Sequence, residues 1–202
     1  MTSVREQNKI KKRKCILEAA IRLFSDKGYE QTSIEELARE AGIGKGTVYS
    51  YFETKKDIVR AFCENQLEYT RTELTANTKP ETSLKEQLLV IFMAEFRHVT
   101  ANKEFGRLFM QEKVFPKEHY SADDQEMQNR YFEMLYPIYQ RAQERGELNS
   151  DLELLHISGH FYSIYLLILS CWYNGMIPTE DIAMSMEAII SQTIKGLRPA
   201  KT

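Results

Sequence analysis

Apolar residues recur every three to four positions along most of the chain, the spacing of one face of an α-helix. Ile16, Ala19, Ala20, Leu23 and Phe24 mark one such face and predict a first helix from about Lys9 to Lys27, with Gly28 at its C-terminal stop. Thr32 and Ser33 are both possible N-caps for the next helix. Glu35 and Glu36 lie three residues after each, which is the spacing of a capping box. Ile34, Leu37, Ala38 and Ala41 then form a short apolar stripe that Gly42 ends. After a tight turn, a third helix of about two turns is predicted between Gly44 and Phe52, with Val48 and Phe52 facing inward. Thr54 and Asp57 open a fourth helix that reaches about Ala76.

Residues 77–83 are polar and contain Pro80, so they mark an expected boundary between substructures. Beyond it the helical period occupies about 83–101, 104–114, 122–145, 151–174 and 179–196, with a kink expected at Pro137. No segment shows the strict alternation of a strand, so the expected class is all-α with about nine helices. The stretch from Ile157 to Tyr173 is the most apolar in the chain. It contains His160 and three Ser, and no Lys or Arg lies between Arg145 and Lys195 to orient it in a bilayer. It is therefore read as a core helix that also meets a partner subunit, with no membrane partner expected.

Composition narrows the class without naming a function. Of the 202 residues, 43% are hydrophobic and 28% charged, which excludes disordered and fibrous chains. Cys15, Cys63 and Cys171 are too few and too scattered for a disulfide framework or a thiolate zinc site. The first residues carry charge and no apolar segment, so no secretory signal is expected and the cytoplasm is the expected compartment. The net charge of −2 argues against a nucleic-acid partner only until it is divided. Residues 1–60 hold 13 Lys and Arg against 9 Asp and Glu, a balance of +4, which leaves −6 for the rest. Residues 1–14 alone carry six bases and one acid, Glu6. Such asymmetry points to a polyanion partner at one end or to a solvated tail.

Residues 32–57 read TSIEELAREAGIGKGTVYSYFETKKD. A capped helix, a short Gly-containing turn and a second short helix make a helix-turn-helix, here about residues 33–52. Gly44, Lys45, Gly46, Thr47, Tyr49, Ser50 and Tyr51 in the turn and second helix are rich in hydrogen-bonding groups and include no acid. Gly44 and Gly46 lack bulk, so backbone there can approach another surface closely. Such a helix suits a DNA major groove, where side-chain donors read base edges. Thr32, Ser33, Lys55 and Lys56 begin the flanking helices, where phosphate contacts would fix register without reading sequence. The alternative is that Tyr49 and Tyr51 pack inward and the lysines are solvated.

The runs ILEAAIRLFSDKGYEQTSIEELAREAG and GKGTVYSYFETKKDI make residues 10–70 resemble the N-terminal DNA-binding domain of the TetR family of transcriptional regulators. The resemblance is gapless over some sixty residues and fades after about residue 75. It implies that the third helix is the recognition helix, with base and phosphate contacts from Lys45, Gly46, Thr47, Tyr49 and Ser50. It also implies that Thr32 or Ser33, Tyr51 and Lys55 hold phosphates. Gly44 departs from the capping residue common at that position, which removes any side-chain contact there. By the same resemblance, residues 77–202 are a helical effector-binding and dimerisation domain. The last two helices would form a homodimer interface and the long fourth helix would act as a lever.

Aromatic and Met residues concentrate in the centre of the chain. Phe92, Phe96, Phe109, Met110, Met127, Tyr131, Met134, Tyr162 and Tyr165 are the expected lining of a pocket for a small hydrophobic effector. His156 and His160 share a helical face, but no further ligand stands at diagnostic spacing, so no metal is expected. No nucleophile–base pattern or phosphate loop appears, so neither enzyme activity nor a cofactor is expected. The resulting expectation is a homodimeric repressor released from a double-stranded DNA operator by a hydrophobic effector. The alternatives are an activator or a DNA-binding protein without small-molecule control and, least supported by the residues, an enzyme.

Overall fold

A computed structural model of the chain describes residues 4–115, 119 and 121–199; the end of the expected 77–202 domain, from residue 200, lies outside them. Among the described residues the chain is all-α: α1 (Val4–Lys27), α2 (Ile34–Glu40), α3 (Lys45–Tyr49), α4 (Lys55–Asn77), α5 (Leu84–Thr100), α6 (Lys103–Val114), α7 (Ala122–Glu144), α8 (Leu154–Tyr173) and α9 (Ile182–Gly196). A 3-10 turn over Thr179–Asp181 precedes α9, where one uninterrupted helix was expected. Helix α1 begins five residues earlier than the apolar period predicts. Its first turns carry good helix formers but no apolar face for periodicity to detect.

Local chemistry explains the ends. Gly28 adopts φ +87°, the left-handed conformation that stops α1 while its N–H bonds the Phe24 carbonyl at 3.0 Å. At the start of α4, the Thr54 N–H donates to Asp57 Oδ2 (2.8 Å) and the Asp57 N–H donates to Thr54 Oγ1 (3.3 Å). Ser121 and Asp124 close the same kind of box on α7. Pro137 lies inside α7, which continues through it to Glu144 rather than being divided there.

The chain forms two compact units, Met1–Gln66 with Val99–Tyr120 and Leu67–His98 with Ser121–Thr202. This division differs from the boundary expected at residues 77–83: the change of unit falls inside α4, and α6 belongs with the first three helices. The cause is aromatic packing. Phe105 of α6 stacks on Phe24 at 6.3 Å and meets the Phe62 ring edge-on at 4.6 Å, and Phe109 meets Phe62 at 4.9 Å. The Asn102 carboxamide oxygen accepts from the Phe105 N–H and from the Ser25 hydroxyl, both at 2.9 Å, which caps α6 and ties it to α1.

The second unit packs α8 against α7 and α9. Ile157, Phe161, Tyr165, Ile168 and Leu169 of α8 are buried, as are Ile182, Met186, Ile190 and Ile194 of α9. Helix α8 is long and apolar enough to cross a membrane by length and composition, but in this fold one of its faces is core. Its other face leaves Leu155 and Leu167 exposed.

Candidate nucleic-acid interface

Helix α2 is a scaffold helix. Ser33 is its N-cap: Ser33 Oγ accepts from the Glu36 N–H (3.2 Å), and the Ser33 N–H donates to Glu36 Oε2 (2.9 Å). Lys27 at the end of α1 adds an ion pair to Glu36 at 2.5 Å. That pair, with the Ser33 N–H and hydroxyl, holds the Glu36 carboxyl down at about 2. Leu37 is fully buried and Ala38 nearly so, so α2 presents one face to the core. Arg22 pairs with Glu40 at 2.9 Å across to α1.

Between the two candidate caps, the structure chooses Ser33 and corrects the reading of Thr32. Thr32 is 2% exposed, and its hydroxyl donates to the Gly28 carbonyl at 2.9 Å. Gly28 follows the last residue of α1, so this bond closes the loop between α1 and α2. The Thr32 side chain is therefore a structural closure and not a surface for phosphate.

The turn after α2 closes through Gly42 at φ +68° and an Ile43 N–H to Ala38 carbonyl bond of 3.0 Å. Helix α3 then spans only five residues, shorter than the two turns expected. Thr47, Val48 and Tyr49 are moderate helix formers and Gly46 is a poor one, so little in the sequence prolongs it. The chain continues as a hydrogen-bonded turn in which the Phe52 N–H reaches the Val48 carbonyl at 2.9 Å. Val48 and Phe52 are buried as their spacing predicts, and they seat α3 on the core. Gly44, Lys45, Gly46, Tyr49 and Ser50 are exposed, and Thr47 and Tyr51 are half-buried.

The two glycines have no internal explanation. Gly44 has φ −72°, a conformation any residue adopts, and a methyl group there would meet nothing closer than Thr47 Oγ1 at 3.9 Å. A methyl group at Gly46 would meet no atom of the chain within 4 Å.

Two of the expected cations are occupied. Lys45 forms an ion pair with Glu35 and lies 5.8 Å from the centre of the Tyr49 ring. This pairing holds the Lys45 ammonium above, and the Glu35 carboxyl below, their ordinary ranges. Lys55 donates to the carbonyls of Tyr29 (2.6 Å) and Glu30 (3.3 Å) over the Tyr29 ring, so it clamps the α1–α2 loop to the start of α4. Two of its three N–H donors are thereby used. Ser50 Oγ donates to the Thr47 carbonyl at 2.7 Å. Sequence reasoning missed Glu35 because its meeting with Lys45, ten residues on, depends on the geometry of the turn between them. It also missed Arg13, which pairs with Glu64 at 2.6 Å and lies 5.6 Å from the centre of the Phe52 ring.

The residues expected to line an effector pocket divide between the units. Phe109, beside Phe62, and Met110 are buried in the first, whereas the other seven belong to the second. There Phe92 stacks on Tyr165 at 5.5 Å, Tyr162 follows at 6.1 Å and Tyr131 at 6.5 Å, while Phe96 packs on Trp172 at 5.3 Å. Met134 is buried and Met127 half-buried. Burial raises the Tyr131 and Tyr165 hydroxyls well above the ordinary tyrosine range, so both stay protonated. A surface groove of about 280 Å³ in this unit is lined by Glu73, Asn77, Leu89, Val90, Met93 and Arg97, none of them among the nine residues expected to line the pocket. His156 and His160 are both exposed on α8.

A capped scaffold helix, a glycine turn and a second short helix with an exposed, acid-free face define a helix-turn-helix module. Residues 16–62 match the family described as bacterial regulatory proteins, tetR family, and residues 85–174 match the tetracyclin repressor-like C-terminal domain. The chain belongs to the TetR family of transcriptional regulators. It is 29% identical over 200 residues to YerO, an uncharacterised HTH-type transcriptional regulator of Bacillus subtilis, covering 92% of this chain and 65% of that one. It is 25% identical over 161 residues to IcaR of Staphylococcus epidermidis, a negative transcriptional regulator of a biofilm operon, covering 78% and 80%. Its fold resembles that of the Bacillus subtilis regulator FadR, solved in complex with stearoyl-CoA, with a TM-score of 0.70 at 18% identity over 92% and 99% of the two chains. The chain spans less than two thirds of the length of the first curated relatives it matches.

Proposed function

We propose that the protein is a sequence-specific, homodimeric repressor that works in the cytoplasm and leaves its double-stranded DNA operator when a small hydrophobic effector binds the second unit. The observation that carries the DNA reading is the surface of α3, where Gly44 and Gly46 are bare without internal cause beside the exposed Lys45, Tyr49 and Ser50. In this reading Lys45, Thr47 and Tyr49 face base edges. Ser33, Ser50, Tyr51 and the remaining N–H of Lys55 take phosphates. Lys45 exchanges Glu35 for DNA, so Glu35 tempers its affinity in the free protein.

Pairing two such heads on one duplex requires a dimer, and α8 and α9 support it. Leu155, Leu167 and Met184 are each more than half exposed on these helices, which gives a second copy apolar area to bury. The repressor sense is supported by the negative regulator IcaR, and an apolar effector by the stearoyl-CoA complex of FadR. Phe92, Phe96, Met127, Tyr131, Met134, Tyr162 and Tyr165 supply the apolar lining, and a ligand that prefers one arrangement of the second unit shifts the population of DNA-competent dimers. Helix α4 contributes residues to both units without a break and is the lever in this reading.

The test is selection of bound fragments from the genome that encodes the protein, followed by a thermal-shift and DNA-release screen of lipophilic compounds. A preferred sequence, its loss or change in Thr47→Ala and Tyr49→Phe, and release by an apolar ligand with a rise in transcription are expected. Absence of any preferred sequence overturns the reading, and a fall in transcription on release makes the protein an activator.

A further inference from the structure

The DNA contacts proposed above lie between Ser33 and Lys55, whereas α1 begins at Val4, nine residues before Arg13. From Val4 to Lys12 every residue of the helix is exposed, and core burial starts only at Ile16. This free-standing arm carries Arg5, Lys9, Lys11 and Lys12 against a single acid, Glu6. Arg13 is paired with Glu64 at 2.6 Å, and Lys14 makes a loose surface pair with Glu18 at 3.8 Å. Arg5, Lys9, Lys11 and Lys12 form no ion pair among the described residues. Arg5, Lys9 and Lys12 follow a spacing of four and three and so share one stripe of the helix. Four residues on, that same stripe becomes the core face at Ile16. The arm thus extends the packed side of α1 past the end of the core, with basic residues in place of apolar ones.

Its point of departure is fixed. Arg13 lies over Phe52, the residue that closes the turn after α3 and follows Tyr51. The arm therefore leaves the first unit beside the end of the reading surface. At 1.5 Å per residue it extends about 13 Å beyond Arg13. Duplex DNA presents roughly eight phosphate charges over that length of axis. An isolated helix of about nine residues is marginal in water, and four like charges on it repel one another. A polyanion removes that repulsion.

We propose that residues 5–12 are a second DNA contact, a basic arm that lies along backbone phosphates outside the half-site read by α3 and adds affinity without adding sequence preference. This rests on the DNA reading above.

The experiment uses the full chain and a variant carrying Arg5→Gln, Lys9→Gln, Lys11→Gln and Lys12→Gln, replacements that keep good helix formers. Circular dichroism checks that the fold is unchanged. Fluorescence anisotropy then measures affinity between 50 and 200 mM salt for three duplexes: a selected operator with long flanks, the same operator trimmed to its core, and an unrelated sequence. For the wild type on flanked DNA, the loss of affinity across that salt range should exceed the variant's by about threefold for each phosphate contact the arm makes. The two proteins should converge on the trimmed duplex and keep the same ratio of operator to unrelated affinity. Equal salt dependence of the two on flanked DNA overturns the arm and leaves the α3 reading intact. A changed operator ratio overturns its sequence-independent role. Failure of the wild type to prefer any sequence overturns the α3 reading itself.

Discussion

Helices α2 and α3 are neighbours of similar brevity, seven and five residues, yet they are built on opposite plans. Helix α2 has a side-chain cap, a reciprocal Ser33–Glu36 box and ion pairs to α1 from both Glu36 and Glu40. Helix α3 starts at a glycine with no side-chain cap, contains a second glycine, and depends on Val48 and the nearby Phe52 for its seat. The difference teaches where stability is placed. Helix α2 is over-determined, whereas α3 is held by what it buries and, on its outer face, by the Lys45–Glu35 pair and the Ser50–Thr47 bond.

The largest way to break this contrast is to remove what α2 buries. Leu37 is fully enclosed, so Leu37→Ala should destabilise the protein by about 2–5 kcal/mol. Chemical denaturation followed by circular dichroism reads the loss. A cost under 1 kcal/mol would mean that α2 is not the anchor described.

The cap gives a smaller and more local effect. Ser33→Ala should cost about 1 kcal/mol, because the Glu36 N–H loses its acceptor. The same interaction can be read through pH. Glu36 is held at about 2 in the folded chain, below its ordinary value of 4.5, so the unfolded state binds the extra proton. Its contribution is therefore complete above about 4.5 and is lost as pH falls from there through about 2. Glu36→Gln should flatten stability against pH in that window and leave the curve above pH 5 parallel to wild type. An unchanged acid limb would remove Glu36 from the account.

Both caps were legible in the sequence because a capping box is a contact between residues three apart. The all-α class was legible for the same reason, through a period of three to four. What stayed hidden depends on chain segments that meet only after folding. Nothing near Phe105 announces that it stacks on Phe24, so α6 reads as part of the C-terminal body although it packs with the first three helices. Thr32 looked like a cap because its spacing to Glu35 is right, but the end of α1 offers its hydroxyl a nearer carbonyl at Gly28. Lys45 and Lys55 read as free cations, and their partners Glu35 and the Tyr29 carbonyl are supplied by turns whose geometry is not written locally. Among the surface residues of the pattern, the structure shows which groups are already engaged within the chain.

The smallest structural effect tests the contrast most sharply, because stability and function should move in opposite directions. Gly46→Ala adds a methyl group that meets nothing in the chain, on a helix whose backbone glycine makes needlessly free. The folded protein should be unchanged or more stable by about 0.5 kcal/mol. If the bare backbone exists to let DNA approach, the same methyl group intrudes on that contact. Operator affinity should then fall by at least about tenfold, a loss of about 1.4 kcal/mol. Thermal unfolding and fluorescence anisotropy on one preparation measure both. A variant that is more stable and binds equally well would show that Gly46 is an unoptimised surface residue, and the outer face of α3 would lose its strongest claim to a partner.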